Sequence, residues 1–342
     1  MRHAKLSLAR RGPSTHETRE LVRSFIVQDR TARTRLCVNS RGAKFAAHLN
    51  SRGPDDAAHL ATAFRRGLRD SGFIDGQNVR IEYRWGRGQF DTLKALAEEL
   101  CRIPVSVLAA SGGEPAVLAA KGATSAIPIV FGMSSDPIKL GLATSFNRPG
   151  ANATGVNVLT TMLEPKRLGL LHDLVPSART IGFLANPSFP PSDRQISDAQ
   201  EAARAIGVPV HVLRANSENE IDWAFQTVAT ERIGALAVAG SPFFDTHRSR
   251  ITALAARYGV PAMYQFREYA VAGGLISYGV DIVDVHRQIG TYVGRILNGT
   301  RPGDLPIMLP TRFELVINLR TAKELGLRIS DNLLTLADEV IE

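Results

Sequence analysis

Four short apolar runs in this chain each stop at small or polar residues that lead into a proline. Val107-Leu108-Ala109-Ala110 runs into Ser111-Gly112-Gly113-Glu114-Pro115, and Ile129-Val130-Phe131 into Ser134-Ser135-Asp136-Pro137. Ile181-Gly182-Phe183-Leu184 runs into Asn186-Pro187, and Leu236-Ala237-Val238-Ala239 into Gly240-Ser241-Pro242. Strand, small polar turn, then proline near a helix start is how a parallel α/β sheet gathers helix N-termini at the carboxyl edge of its strands. Such an edge offers unpaired N–H donors and positive dipole ends, which suit a carboxylate or another small anion. None of the four loops carries a nucleophile–base pair or a metal cluster, so the pattern reads as holding a small ligand rather than transforming it.

Charge narrows the partners. The 342 residues carry a formal net charge of +8, but residues 1–54 hold 12 Lys+Arg against 3 Asp+Glu, and the rest of the chain holds 29 against 30. The body is close to neutral and lacks the whole-surface signature of nucleic-acid binding, so no nucleic-acid partner is expected. Residues 1–44 show neither a helical stripe nor a strand alternation. Their best apolar stretch, Ser24-Phe25-Ile26-Val27, is too short for the core of a secretory signal. They read as an atypical basic leader, a transit-like or disordered tail with a DNA-reading headpiece as the alternative, and a misassigned start or an altered reading frame would account for them. Cys37 and Cys101 give no metal spacing, and Cys101 reads as a packing residue in a helix.

From about Pro54 strands and helices alternate. Asp55-Asp56 stand where an N-cap belongs, before Leu60, Phe64 and Leu68 at helical spacing. Strands are predicted at 79–85, 105–110 and 128–132, with a short helix from Asp136 to Leu142. After Thr154-Gly155-Val156-Asn157-Val158 the rhythm restarts, with strands at 180–185, 209–214, 235–239 and 261–265 and helices at 163–174, 192–206, 218–231 and 244–258. A strand at 275–278, the helix 281–298, the strand Phe313–Asn318 and a last amphipathic piece at 331–341 follow. The fold class is α/β, with two Rossmann-like lobes on parallel central sheets joined by a multi-crossover hinge. One lobe takes residues 45–156 plus about 280–306, the other 157–279 plus about 307–342. A hinge between such lobes makes a cleft that can close on a ligand.

The candidate ligand-binding residues lie at strand ends and crossovers. Ser111, Gly112 and Gly113 form either a carboxylate cradle or a tight turn with a capping serine. Ser134, Ser135 and Asp136 are either a helix cap or partners for a ligand amine. Asn157 and Asn186 can bind a ligand or stitch their own turns. Ser241 and Phe243 place a hydroxyl beside aromatic area, Arg267 sits next to Glu268, and Tyr278 stands at a presumed crossover. The helix 281–298 carries Val285, Ile289, Tyr292, Val293 and Ile296 on a stripe that reads as core packing. His59, His172, His211, His247 and His286 are isolated, with no His-x-x-x-His spacing, so no metal site is expected. No Gly-x-Ser-x-Gly elbow, no dinucleotide fingerprint and no phosphate loop ending in Gly-Lys-Ser/Thr is present, and neither catalysis nor a cofactor is expected.

Specific phrases carry a resemblance. They include Phe64-Arg65-Arg66-Gly67-Leu68, Gly76-Gln77-Asn78-Val79, Glu82-Tyr83-Arg84-Trp85, Ile127-Pro128-Ile129-Val130-Phe131 and Arg148-Pro149-Gly150 with Thr154-Gly155-Val156. Lys166-Arg167-Leu168, Arg267-Glu268-Tyr269, Ala272-Gly273-Gly274, Ser277-Tyr278-Gly279 and Phe313-Glu314-Leu315-Val316-Ile317-Asn318 continue it. Over about residues 50–342 the chain resembles the bacterial ABC-transporter substrate-binding protein family of the two-lobed periplasmic type, whose relatives include binders of aromatic amino acids. The resemblance implies a periplasmic monomer that binds a small carboxylate-bearing solute between its lobes and delivers it to ABC permease subunits in the membrane. Asn50-Ser51-Arg52-Gly53-Pro54-Asp55-Asp56 is similar to the family's first Ser-containing loop, which implies ligand contact at Ser51. The preceding Lys44-Phe45-Ala46-Ala47-His48-Leu49 is a poor central strand by its residues.

Overall fold

A computed structural model describes residues 44–158 and 160–342, and residues 44–342 form one compact unit. The basic leader and Cys37 lie outside the described residues. The first sheet has five parallel strands in the order β2-β1-β3-β4-β5, with β1 at Lys44–Asn50, β2 at Val79–Trp85, β3 at Val107–Ser111, β4 at Ile129–Met133 and β5 at Ala153–Asn157. The unpromising Lys44–Asn50 segment is a central strand after all. Ala46, Ala47 and Leu49 are fully buried, and the polar His48 and Asn50 are buried as well. Burial, then His286 and Arg65, push the His48 pKa down to about 3, so the strand buries a neutral imidazole rather than a cation.

The second sheet has seven strands in the order β12-β11-β10-β9-β8-β6-β7. These are β6 (Ile181–Ala185), β7 (Val210–Arg214), β8 (Ala235–Val238), β9 (Ala262–Tyr264), β10 (Ile276–Val280), β11 (Phe313–Asn318) and β12 (Glu339–Ile341). Only the β10–β11 pair is antiparallel. The fold is therefore two α/β lobes with parallel-dominated sheets. The run β7-β6-β8-β9-β10 repeats the order of β2-β1-β3-β4-β5, so each lobe reverses its strand order once, between β1 and β3 and between β6 and β8. Ligands of open α/β sheets bind outside the carboxyl ends of the strands at such reversals.

The chain passes between the lobes three times. It leaves the first after β5. It returns after β10 as the helix Ile282–Leu297, which packs against the helix Ala58–Asp70, and leaves again after Met308, whose N–H donates to the Gly155 carbonyl. The two helices meet at glycines. A Cβ on Gly67 would stand 1.8 Å from the Arg287 carbonyl oxygen, and one on Gly290 would stand 2.1 Å from that of Phe64. Gly290→Val is therefore expected to destabilise the protein by about 3 kcal/mol through overpacking against backbone. Urea unfolding reads this as a lower midpoint, and an unchanged midpoint would show that the helices have room there.

Several local expectations need correction. Residues 136–142 make a single irregular turn, not a helix, because their bonds run over three, four and five residues rather than repeating. The helix expected at 244–258 breaks at His247 into Pro242–Thr246 and Arg248–Arg257. The last amphipathic piece divides into the helix Asp331–Leu336 and β12. Asp56 does not cap the first helix. Its carboxylate accepts from the Gly53 N–H at 2.7 Å and pairs with Arg52 at 3.1 Å, which tightens the loop after β1.

Candidate functional site

The two strand reversals face each other across a small cavity of about 50 Å³, at the place where open α/β sheets hold their ligands. The first lobe supplies Arg52 from the loop after β1, Ser111, Gly112 and Gly113 from the end of β3, and Met133 and Ser134 from that of β4. The second supplies Phe189 from the loop after β6, Gly240, Ser241 and Pro242 after β8, and Gln265 and Phe266 after β9. Ile282, Val285, His286 and Ile289 of the helix Ile282–Leu297 form an aliphatic wall interrupted by one imidazole. Val158 and Thr160 close the cavity at the crossover.

Hydrogen bonding decides which polar groups remain open to a ligand. Asn50 Nδ2 donates to Ser111 Oγ at 3.0 Å, and Ser111 Oγ lies 2.7 Å from His48 Nε2. Asn50 and the neutral His48 ring thus both engage the Ser111 hydroxyl within its own lobe. Glu114 accepts from the Ser134 and Ser135 N–H groups at 2.9 and 2.6 Å, which takes both amides of the loop after β4. Ser134 Oγ pairs with Thr160 Oγ1 at 2.7 Å. Asn186 Nδ2 donates to Ser241 Oγ at 3.1 Å, which leaves the Ser241 hydroxyl proton free to point at a ligand. The helix Glu114–Ala123 opens at Gly113 with no side-chain cap, its start directed at the cavity rim.

The charged end of the cavity joins the lobes. Arg52 Nη1 and Nη2 donate to the two Glu268 oxygens at 3.0 and 3.3 Å. Arg248 Nη2 donates to the Asp56 carbonyl at 3.3 Å, and His59 Nε2 also bonds Glu268. Burial works against the Glu268 charge, but the Arg52 guanidinium outweighs it and holds the carboxyl down to about 2. Glu268→Ala should weaken ligand binding by about 2 kcal/mol, roughly 30-fold and mainly in the dissociation rate, because it leaves Arg52 buried and short of a partner. Stopped-flow kinetics checks this, and an unchanged dissociation rate would deny the pair any part in holding the lobes together.

The Asp245 carboxylate lies at the same end, with no cation hydrogen-bonded to it among the described residues. It is 4% exposed, and its Oδ1 accepts from Gln265 Nε2 at 2.8 Å and from Tyr269 OH at 3.1 Å. Burial raises its pKa to about 6, only partly opposed by Arg52. An ionised carboxylate in an otherwise largely apolar enclosure is a seat for an ammonium group.

Of the residues singled out in the sequence, Ser111, Gly112, Gly113, Ser134 and Ser241 line this cavity. Ser51 is fully buried beside Gly112 but does not line it. Ser135, Asp136 and Asn157 line a separate groove, with Asp136 Oδ1 capping the Ile138 N–H of its own turn and Asn157 Nδ2 donating to the Ser135 carbonyl. Asn186 and Phe243 line another groove beside Arg87–Asp91, and the Phe243 ring packs on Phe244 and His247. Arg267 points away and is bound by Glu339 at 2.6 and 2.7 Å. Tyr278 stacks on Phe313, and its carbonyl accepts from Arg167 Nε. Sequence reasoning missed Arg52, Asp245, Gln265, Phe266 and His286. The available signals were an aspartate directly after Pro242-Phe243-Phe244 and a histidine beside the aliphatic stripe of a long helix.

Comparison with known proteins agrees with this architecture. A model of the family described as ABC transporter substrate binding protein matches residues 55–341. A tyrosine-binding protein of Clostridioides difficile is 24% identical over 265 residues, covering 78% of this chain and 76% of that protein. The ABC domain from Streptococcus pneumoniae in complex with L-Trp superposes with a TM-score of 0.78 at 24% identity, covering 88% of this chain and 100% of that one. A substrate binding protein with adhesive properties from Clostridium difficile, in its ligand-free, open form, superposes with 0.62 at 24% identity, over 87% and 99%. Among the described residues no helix is long and apolar enough to cross a membrane. With the match running through both lobes, the chain belongs to the ABC transporter substrate binding protein family.

Proposed function

We propose that this protein captures an amino acid between its lobes, outside the cytoplasm and as a monomer, and presents it to the permease of an ABC importer. The observation that carries the reading is Asp245, a carboxylate without a cation of its own in a largely apolar cavity that both lobes build. The ligand ammonium sits on Asp245. Its carboxylate takes the Ser241 hydroxyl and the uncapped start of the helix Glu114–Ala123, where the helix dipole favours an anion. Its side chain lies against Phe189, Phe266 and the aliphatic wall of the helix Ile282–Leu297, contacts that suit an apolar or aromatic body. The L-Trp complex and the tyrosine-binding relative support that choice. The higher superposition score against the L-Trp complex than against the ligand-free, open protein supports a closed arrangement of the lobes here.

Closure brings Arg52 onto Glu268 and buries the ligand, which gives the permease a shape distinct from the empty protein. Calorimetric titration of the full chain with the L-amino acids tests the reading. Saturable micromolar or tighter binding of an aromatic amino acid is expected. Failure of every amino acid to bind would overturn it.

A further inference from the structure

The helix Ile282–Leu297 shows the cavity three aliphatic side chains and His286, which is 2% exposed. His286 Nδ1 lies 2.9 Å from the Ile282 carbonyl oxygen one turn earlier. A carbonyl only accepts, so this contact assigns the ring proton to Nδ1. Burial, offset in part by that carbonyl and reinforced by Arg52, pushes the imidazole pKa down to about 4, so the ring is neutral near pH 7. Its Nε2 is then a lone-pair acceptor, buried and without a partner among the described residues. A buried acceptor without a donor is a penalty carried by the empty cavity and removed by a ligand that brings a donor.

We propose that His286 sets the choice among amino acids: its Nε2 accepts a hydrogen bond from an O–H or N–H on the ligand's side chain, so a phenol or indole is preferred to a bare phenyl ring. The inference rests on the amino-acid reading above. In that reading the ammonium is engaged by Asp245 on the other lobe, so the donor for His286 comes from the side chain lying along its wall. An apolar wall alone separates such rings weakly, whereas a placed acceptor rejects the analogue that leaves it unpaired.

Isothermal titration of the full chain with L-tyrosine, L-tryptophan and L-phenylalanine tests it. One or both of the donor-bearing amino acids should bind about tenfold or more tightly than phenylalanine. His286→Leu should remove that preference to within about threefold by weakening the donor-bearing ligand while leaving phenylalanine nearly unchanged. His286→Gln, which retains an acceptor oxygen, should restore part of it. Equal wild-type affinity for all three overturns the proposal and leaves the amino-acid reading standing, as does a preference that survives in a folded His286→Leu. If His286→Leu does not fold, the wild-type ratio and the Gln variant decide. If no amino acid binds the wild type, the amino-acid reading falls and this proposal falls with it.

Discussion

Asp245→Asn is expected to weaken amino-acid binding by about 100-fold, roughly 3 kcal/mol, the cost of removing one partner of a buried charge pair. The amide is isosteric, and its oxygen can still accept from Gln265 and Tyr269, so the lobe keeps its bonds and the loss falls on the ligand. The wild type should also show a pH dependence that the variant lacks. In the empty cavity Asp245 takes up a proton as pH falls through about 6. An ammonium favours the ionised form, so affinity is flat above that value and falls by up to about tenfold per unit below it. Titration calorimetry between pH 5 and 8 measures both effects. A flat wild-type profile, or an Asn variant that binds normally, would remove Asp245 from the site.

Gly113→Leu should reduce binding comparably by holding the lobes apart. Gly113 has φ 88, which disfavours any side chain. A Cβ there would stand 3.0 Å from Pro242 Cγ and 3.5 Å from Phe189 Cε2, both on the opposite lobe. The remainder of a leucine side chain would fill the gap that closure must eliminate. Affinity should fall by about 50-fold or more, and small-angle scattering should show no compaction when ligand is added to the variant. Compaction equal to that of the wild type would mean that the lobes do not meet at this point.

β3, β4, β6 and β8 were legible because each is an apolar run ended by small residues and a proline, a purely local signal. β1 was harder: whether Lys44-Phe45-Ala46-Ala47-His48-Leu49 can be central depends on Ser111, 63 residues after His48, which accommodates the neutral imidazole. The glycines at the rim were found because a close backbone approach has a compositional signature. Arg52 and Glu268 were not found as a pair, since 216 residues separate them and they sit on different lobes. Arg267 looked like the functional member of its dipeptide, but the direction of the short helix Arg267–Val271 sends it to Glu339 and turns Glu268 inward. Asp245 and His286 owe their roles to what they lack, a cation in one case and a donor in the other. Such absences exist only once the neighbours are in place.

Both lobes follow one strand order, so every rim loop has a counterpart across the gap: the turn after β3 opposes the turn after β8, and the turn after β1 corresponds to the turn after β6. A bulkier cargo can then be accommodated by trimming either member of an opposing pair. The helices away from the cavity need not change. Cargo preference is thus free to shift over evolutionary time without rebuilding the scaffold that carries it.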